Sequence, residues 1–441
     1  MAFVETIGIF VITVSLLTFV AFFGRLPAFR NTPIGFVHRL LIVHIPSGLR
    51  TLDLKLTNGR ITNGSSRLGH HLMHDKHPTV VIFFLGLITI SAAFILPVIW
   101  SLLGLHHQLI VLFLLPQPYL FTYLSARRNP DTYINELNHA DQMRHYPYDR
   151  ILYYPGKTCS TCKFLKPARS KHCSICKTCV SRMDHHCIWV NNCLGRGNYR
   201  WFLSLLLSTS ILLAYGAHLA YIALTPLAED HYTKYERWYV FERTNPGSDL
   251  SAWSTYLSMR SHYFITYISI YLEVGGLRAS GVGLLALLTW PLPLGLLIYH
   301  IYLIWAGMTT NESSKWADWR DDMADGVAFL GQRREDTMRT SYPTESQHPI
   351  HPLSFTSSSS STTPIPTPPE TPPEEEEPPT TWPLESRHIL VRTLNGLPPQ
   401  SLPSRIKSVA KEDSFERVGS LAAVENVYDL GFWDNIVEAW K

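Results

Sequence analysis

The chain has 441 residues, 46% of them hydrophobic and 17% charged, with a net charge of +3. So small a charge excludes an electrostatic case for nucleic acid, and the apolar residues are too unevenly spread for two or three ordinary soluble domains. From the N-terminus, residues 6–23 carry no charge and are long enough to cross ~30 Å of hydrocarbon. A signal peptide fits less well there, because no basic run precedes the stretch and Glu5 abuts it. Residues 24–78 read as a basic linker. Residues 79–103 and 109–126 read as a second and third span, joined by a short turn into a helical hairpin. Pro97, Pro116 and Pro118 are tolerable in such helices.

All seven cysteines fall between Cys159 and Cys193, inside the segment 127–200. Cysteine used as core filler would scatter, so this segment has a use for sulfur. Cys159-x2-Cys162 and Cys173-x2-Cys176-x2-Cys179 are short thiolate turns of the kind that fold sulfurs onto a tetrahedral zinc, and His172 and His186 lie among them. Six cysteines and two histidines supply eight ligands, enough for two four-coordinate sites, and one cysteine is left over. Cys187 is the choice for that odd thiol, because Asp184, His185 and His186 precede it directly. A neighbouring imidazole can take the thiol proton, and a carboxylate can orient that imidazole. The competing reading is an inert thiol in a zinc-ribbon scaffold beside an ordinary histidine. Spacing puts the adjacent His172 and Cys173 more comfortably on different metals and leaves the rest of the pairing open.

Residues 201–224 read as a fourth span and 281–308 as a fifth, kinked at Pro291 and Pro293. The apolar run 263–277 is shorter and is interrupted by Glu273, so it reads as an interfacial segment, with a sixth span as the alternative. The linker 24–78 holds eight Lys/Arg against two Asp/Glu, the cysteine-rich loop 127–200 thirteen against five, and residues 225–278 five against six. The positive-inside rule then puts the first two in the cytosol and the third in the lumen, with the C-terminus cytosolic. In that topology the sequons at Asn63 and Asn311 stay unglycosylated, and a disulfide framework is disfavoured. Thr309, Thr310 and Glu312 follow the last span and on their own read as a helix cap. Residues from Ser341 to about Leu402 are of low complexity and read as a disordered linker. Aromatic residues return in the last fourteen positions, which read as a docking segment or an amphipathic tail.

The run Asp184-His185-His186-Cys187, inside this frame and continued by Trp189, Asn191-Asn192-Cys193, Gly195 and Asn198, resembles the DHHC protein S-acyltransferases, membrane enzymes that attach palmitate to cysteine. The resemblance is contiguous over about forty residues. It implies an all-α polytopic membrane fold of about five spans, with the zinc-binding cysteine-rich domain in the cytosol between the third and fourth. It implies that Cys187 carries the acyl group, that Asp184 and His185 activate it, and that palmitoyl-CoA is the co-substrate. It implies one structural zinc on Cys159, Cys162, His172 and Cys179 and another on Cys173, Cys176, His186 and Cys193. Trp189 and Phe202 would line the acyl-chain cavity, and Thr309, Thr310 and Glu312 match the family's Thr-Thr-x-Glu motif near the active site. Tyr428 and Asn435 match a C-terminal motif that braces the fold. Lys163, Lys166, Arg169, Lys171, Lys177 and Arg182 would meet CoA phosphates or anionic headgroups, or form a solvated basic face.

Ile188 stands where most of the family has proline, a backbone change that removes no reacting group. Ile188, the span count and the long first linker most resemble the family's fungal endoplasmic-reticulum branch, which acylates SNAREs and other single-span proteins on juxtamembrane cysteines. The implied location is the endoplasmic-reticulum membrane, with the Golgi as alternative. Two other function classes remain beside the enzyme: a membrane-anchored zinc-ribbon adaptor, and a zinc-dependent ligase acting through a recruited enzyme. Both predict that Cys187 is dispensable.

Overall fold

The computed structural model describes residues 17, 20, 32–235, 250–338 and 379–441. The expected first span lies outside the described residues except for Leu17 and Val20, and so do positions 339–378 of the low-complexity tract. In chain order the main helices are α1 (Pro33–Arg39), α2 (Ile45–Thr57), α3 (Arg60–His74), α4 (Thr79–Ile99), α5 (Leu105–Leu114) and α6 (Gln117–Ala126). Strands β1 (Lys171–Cys173), β2 (Thr178–Val180), β3 (His185–Cys187) and β4 (Asn192–Leu194) follow. Next come α7 (Tyr199–Tyr235), α8 (Leu250–Gly276), α9 (Val282–Thr289), α10 (Pro291–Trp305) and α11 (Thr310–Ala324). Strands β5 (Ala328–Gln332), β6 (His388–Arg392) and β7 (Glu416–Arg417) precede the terminal helix α12 (Phe432–Trp440). The chain divides into two compact units, each described separately below.

The first unit comprises residues 1–122, 188–191 and 204–296. The basic segment expected to be a linker is helical from Pro33 onward. Thr32 caps α1 by accepting from the Gly35 N–H at 3.5 Å, and Pro33 opens the helix with its preset φ. Asn58 (φ 56°) and Gly59 (φ 79°) take left-handed conformations that end α2 and reverse the chain into α3. The Asp53 carboxylate locks this corner by accepting from the Thr62 N–H at 2.8 Å and its hydroxyl at 2.6 Å. Ile45, Leu49, Leu52 and Leu56 fall on one stripe of α2 and are exposed.

Four described helical stretches are long and apolar enough to cross a membrane: 79–102, 105–126, 199–234 and 278–305. Prolines shape them. Pro97 lies inside α4, Pro116 falls at the α5–α6 break, and the chain between α9 and α10 turns at Trp290 just before Pro291. Ile95, Ile99, Val111, Leu219, Ala220, Leu224 and Ala279 form their shared core. The segment 225–280, read as lumenal with an interfacial run at 263–277, is largely helical where it is described: α7 runs on to Tyr235, and α8 passes through Glu273. Glu273 does not break α8 because it is mostly exposed, and the Tyr271 and Thr225 hydroxyls bond at 2.9 Å to tie α8 to α7.

The second unit comprises residues 123–187, 192–203 and 297–441. It adds short strands to the mostly helical fold: the ribbons β1–β2 and β3–β4, and a three-stranded antiparallel sheet in the order β6-β5-β7. The sheet corrects the reading of the tail, because residues 379–402 are not part of a linker. Ile389, Leu390 and Val391 are buried, and β6 pairs with β5 in the register Leu330↔Leu390. A short β-branched run flanked by polar and proline-rich sequence was hidden by the composition around it. Tyr146, Tyr148, Ile151, Tyr153, Met323, Ala328, Trp382, Leu390 and Tyr428 form the core of this unit.

Candidate active site and metal centres

The two ribbons carry the candidate metal ligands. In β1–β2 the register sets His172 opposite Cys179, and in β3–β4 it sets His186 opposite Cys193. Cross-strand partners share a face, so each pair brings one histidine and one sulfur together. His172 and Cys173 are neighbours on one strand and point to opposite faces, which separates them into different clusters. The Cys-x2-Cys turns add the other sulfurs. The Cys162 N–H bonds Cys159 Sγ and the Cys176 N–H bonds Cys173 Sγ, both at 3.4 Å. Lys163 (φ 64°) and Lys177 (φ 54°) complete the turns in the left-handed region.

Cys159, Cys162, His172 and Cys179 converge in one cluster, and Cys173, Cys176, His186 and Cys193 in another. In the first, the three sulfurs lie 3.4–3.8 Å from His172 Nδ1. In the second, the sulfurs lie 3.4–3.8 Å from His186 Nδ1. A tetrahedron with zinc–sulfur bonds of ~2.3 Å and zinc–nitrogen bonds of ~2.0 Å has edges of about 3.5–3.8 Å, so both donor sets fit zinc.

Cys187 belongs to neither cluster and is buried at the end of β3. His185 Nδ1 lies 2.6 Å from Asp184 Oδ2, in position to donate to the carboxylate. Burial opposes charge on His185, but its hydrogen bonds with Asp184 and Cys187 outweigh that and raise the imidazole to about 10. Burial likewise opposes ionisation of Asp184, yet the hydrogen bond and charge of His185 hold its carboxyl below the usual range. A carboxylate, an imidazole and a thiol are thus linked in sequence, with the imidazole able to hold a proton between the other two.

The residues after the last span hold Asp184. The Thr310 N–H donates to Asp184 Oδ1 at 2.7 Å, and the Thr310 hydroxyl donates to Oδ2 at 3.1 Å. Thr309 and Glu312 form a reciprocal capping box at the start of α11, and the Thr309 hydroxyl also reaches the Met183 carbonyl at 3.1 Å. The cap and the active-site contact are therefore one arrangement. Glu312 also takes a two-pronged bond from Arg169, at 2.7 and 2.5 Å. Tyr428 and Tyr146 flank that guanidinium, 4.5 and 5.2 Å from its carbon to their ring centres, and the Tyr428 hydroxyl donates to the Pro147 carbonyl at 2.8 Å. Asn435 accepts from the Leu430 N–H at 3.0 Å and donates to Asp429 at 2.8 Å.

Not every expected contact forms. Arg169 and Arg182 are buried, so neither belongs to an exposed basic face: one is committed to Glu312 and the other lies over the Tyr199 ring. Trp189 is half exposed and meets Phe84 edge-on at 6.1 Å within the first unit. Phe202 is buried in the second unit with its ring 5.7 Å from that of His185. His300 is not among the site residues that the motifs mark, although a histidine inside an apolar span is itself a signal. Its ring lies 5.9 Å from that of His185.

Residues 153–317 match the family described as DHHC palmitoyltransferase. The chain is 41% identical to palmitoyltransferase SWF1 of Neurospora crassa, in an alignment covering 100% of this chain and 92% of the relative. The chain belongs to the DHHC palmitoyltransferase family. A second family member, palmitoyltransferase swf1 of Emericella nidulans, is 37% identical over 99% of this chain and 96% of its own length. That of Schizosaccharomyces pombe is 36% identical over 69% of this chain and 78% of its own. The DHHC family match spans both candidate zinc clusters, the Asp184–Cys187 run, and Glu312.

Proposed function

We propose that this palmitoyltransferase works by two-step S-acyl transfer through an acyl-Cys187 intermediate. The carrying observation is that Cys187 stands outside both metal clusters, next in line to the bonded pair Asp184–His185. Asp184 occupies Nδ1 of His185, which leaves Nε2 to take the Cys187 proton. The Cys187 sulfur attacks the carbonyl carbon of palmitoyl-CoA, the carbon–sulfur bond to CoA breaks, and the departing sulfur takes the proton from His185. A substrate cysteine then gives its proton to His185 and its sulfur takes the acyl group, regenerating the Cys187 thiol. One thioester replaces another at each step, so the enzyme's contribution is positioning more than driving force.

The two zinc ions would each be held by a complete set of four protein ligands and would supply structure to a segment of short strands and turns. The cysteine-rich domain would face the cytosol in a five-span topology, with residues 6–23 as the first span. Trp189 and Phe202 would lie along the acyl chain. Substrates would be membrane proteins with juxtamembrane cysteines, SNAREs and other single-span proteins among them, in the endoplasmic-reticulum membrane or alternatively the Golgi. The likeness to SWF1 palmitoyltransferases, together with Ile188 and the long first linker, supports this part of the reading.

Autoacylation with a clickable palmitoyl-CoA tests the mechanism. The expected result is a hydroxylamine-sensitive label on the wild type and none on Cys187→Ser. Equal label on both would assign the wrong nucleophile. No label on either, with zinc intact, would favour an adaptor.

A further inference from the structure

The active-site histidine is held on more than its Asp184 side. His300 sits on α10, near the end of an apolar span, and is only 1% exposed. A polar ring there is costly, and an apolar side chain of similar size would pack without needing a partner. His300 has one: the Tyr199 hydroxyl meets its Nδ1 at 2.9 Å. The Arg182 guanidinium carbon lies over the Tyr199 ring, 5.4 Å from its centre. His300 also borders the reacting groups. Its ring is near-parallel to that of His185, at 25° with centres 5.9 Å apart, and one polar atom from each of His300, His185 and Asp184 lies within 4.8 Å of the others. Phe202 stands edge-on to both rings, 5.7 Å from His185 and 5.1 Å from His300.

We infer that His300, pinned by Tyr199, is a positioning residue that fixes the ring plane of His185 and so aims its Nε2 at Cys187. The bond to Asp184 fixes one edge of the imidazole but leaves the ring free to pivot about that bond. His300, near-parallel to the imidazole, and Phe202, edge-on to it, pack beside the ring and restrict that pivot. Proton transfer needs Nε2 within hydrogen-bond reach of the sulfur, and a misplacement of ~1 Å can cost on the order of 100-fold in rate. Tyr199 acts one step further out: its hydroxyl sets which way the His300 ring faces, and Arg182 keeps the phenol in place. This inference rests on the acyl-Cys187 reading.

The test is rapid-quench acyl-enzyme formation over a range of palmitoyl-CoA concentrations, on the full chain in detergent. It separates the saturating rate from the half-saturating concentration. His300→Leu is expected to lower the saturating rate about 10- to 100-fold with the half-saturating concentration unchanged and two zinc ions per chain retained. His300→Asn keeps an amide where Nδ1 stood, so it should recover part of that loss. Tyr199→Phe removes a single oxygen and should slow the step several-fold. Tyr199→Phe combined with His300→Leu should be no slower than His300→Leu alone. A wild-type saturating rate in His300→Leu, or a change confined to half-saturation, overturns the inference. If His300→Leu fails to fold, a wild-type rate in Tyr199→Phe overturns it equally. Cys187→Ser runs in the same assay: if it labels like the wild type, the acyl-Cys187 reading has failed. If it stays unlabelled while the His300 and Tyr199 variants react normally, only this inference has failed.

Discussion

Arg169 and Glu312 lie 143 positions apart in sequence and form a two-pronged ion pair with both side chains 1% exposed. Burial alone would pull the Arg169 guanidinium down and push the Glu312 carboxyl up. Each instead favours its charged form because the other is beside it. The pair therefore works as a pin between the segment before the zinc ribbons and the start of α11.

Breaking one side of that pin should cost far more than replacing both. Glu312→Ala leaves the guanidinium buried without its partner, at a cost of about 3–5 kcal/mol. Arg169→Met combined with Glu312→Leu should recover most of that. Thermal unfolding in detergent compares the two, and a double variant no more stable than Glu312→Ala would refute the account.

Thr310 allows the helix and the active site to be separated. Its N–H serves Asp184 and not α11, and it stands at the first helical position, where proline is tolerated. Thr309 is already extended, at φ −98° and ψ 167°, as a residue before proline prefers. Thr310→Pro removes both the N–H and the hydroxyl donation to Asp184 while keeping the α11 ladder, so it should slow autoacylation on the order of tenfold or more and lower stability by no more than about 1–3 kcal/mol, the cost of a buried acceptor losing its donors.

The ligand sets predict metal content. Cys187→Ser should retain two zinc ions per chain, and Cys173→Ser should lose at least one and unfold more readily. Elemental analysis by mass spectrometry decides. Loss of zinc in Cys187→Ser would mean that the clusters are assigned wrongly.

Asp149 gives a pH signature. Burial is the largest influence on its carboxyl and pushes it up to about 6, even though Oδ1 accepts from the backbone N–H groups of Ile151, Leu152 and Tyr153. The folded state then keeps a proton that the unfolded chain releases near pH 4. Stability from this group is complete below pH 4, falls as pH rises through about 6, and is lost above it, by on the order of 3 kcal/mol. Asp149→Asn keeps the acceptor oxygen and should flatten that decline. Melting temperatures at pH 5 and pH 7 for both proteins measure it, and parallel shifts would rule the carboxyl out.

The two Cys/His clusters were legible in the sequence because their chemistry is local: eight candidate ligands sit within 35 residues, from Cys159 to Cys193, and the structure brings them together in two sets of four. What surrounds them was harder to read, because it depends on partners far along the chain. Thr310 reaches Asp184 across 126 positions, and nothing in either neighbourhood announces the other. Arg169 looked like one more surface cation among lysines, since only its burial sets it apart. In residues 33–74 the interspersed glycine, serine and proline masked helices, although Ile45, Leu49, Leu52 and Leu56 recur at helical spacing. Strand β6 was missed for a different reason: its partner β5 lies on the other side of a tract that carries no structural signal.

That pairing also fixes where the chain can be edited. β5 and β6 are antiparallel neighbours with Gln332 opposite His388, so β5 ends and β6 begins at the same end of the sheet, and the 40 residues 339–378 fall between them in sequence. The entropy of closing a chain between two such anchors grows only with the logarithm of its length, about 0.6 kcal/mol for each doubling. A fluorescent protein or an affinity tag spliced between Ser357 and Glu377 would thus report on the enzyme in its membrane at small energetic cost, whereas the same cargo fused after Lys441 would crowd Glu438, whose carboxylate bonds Tyr146 in the core.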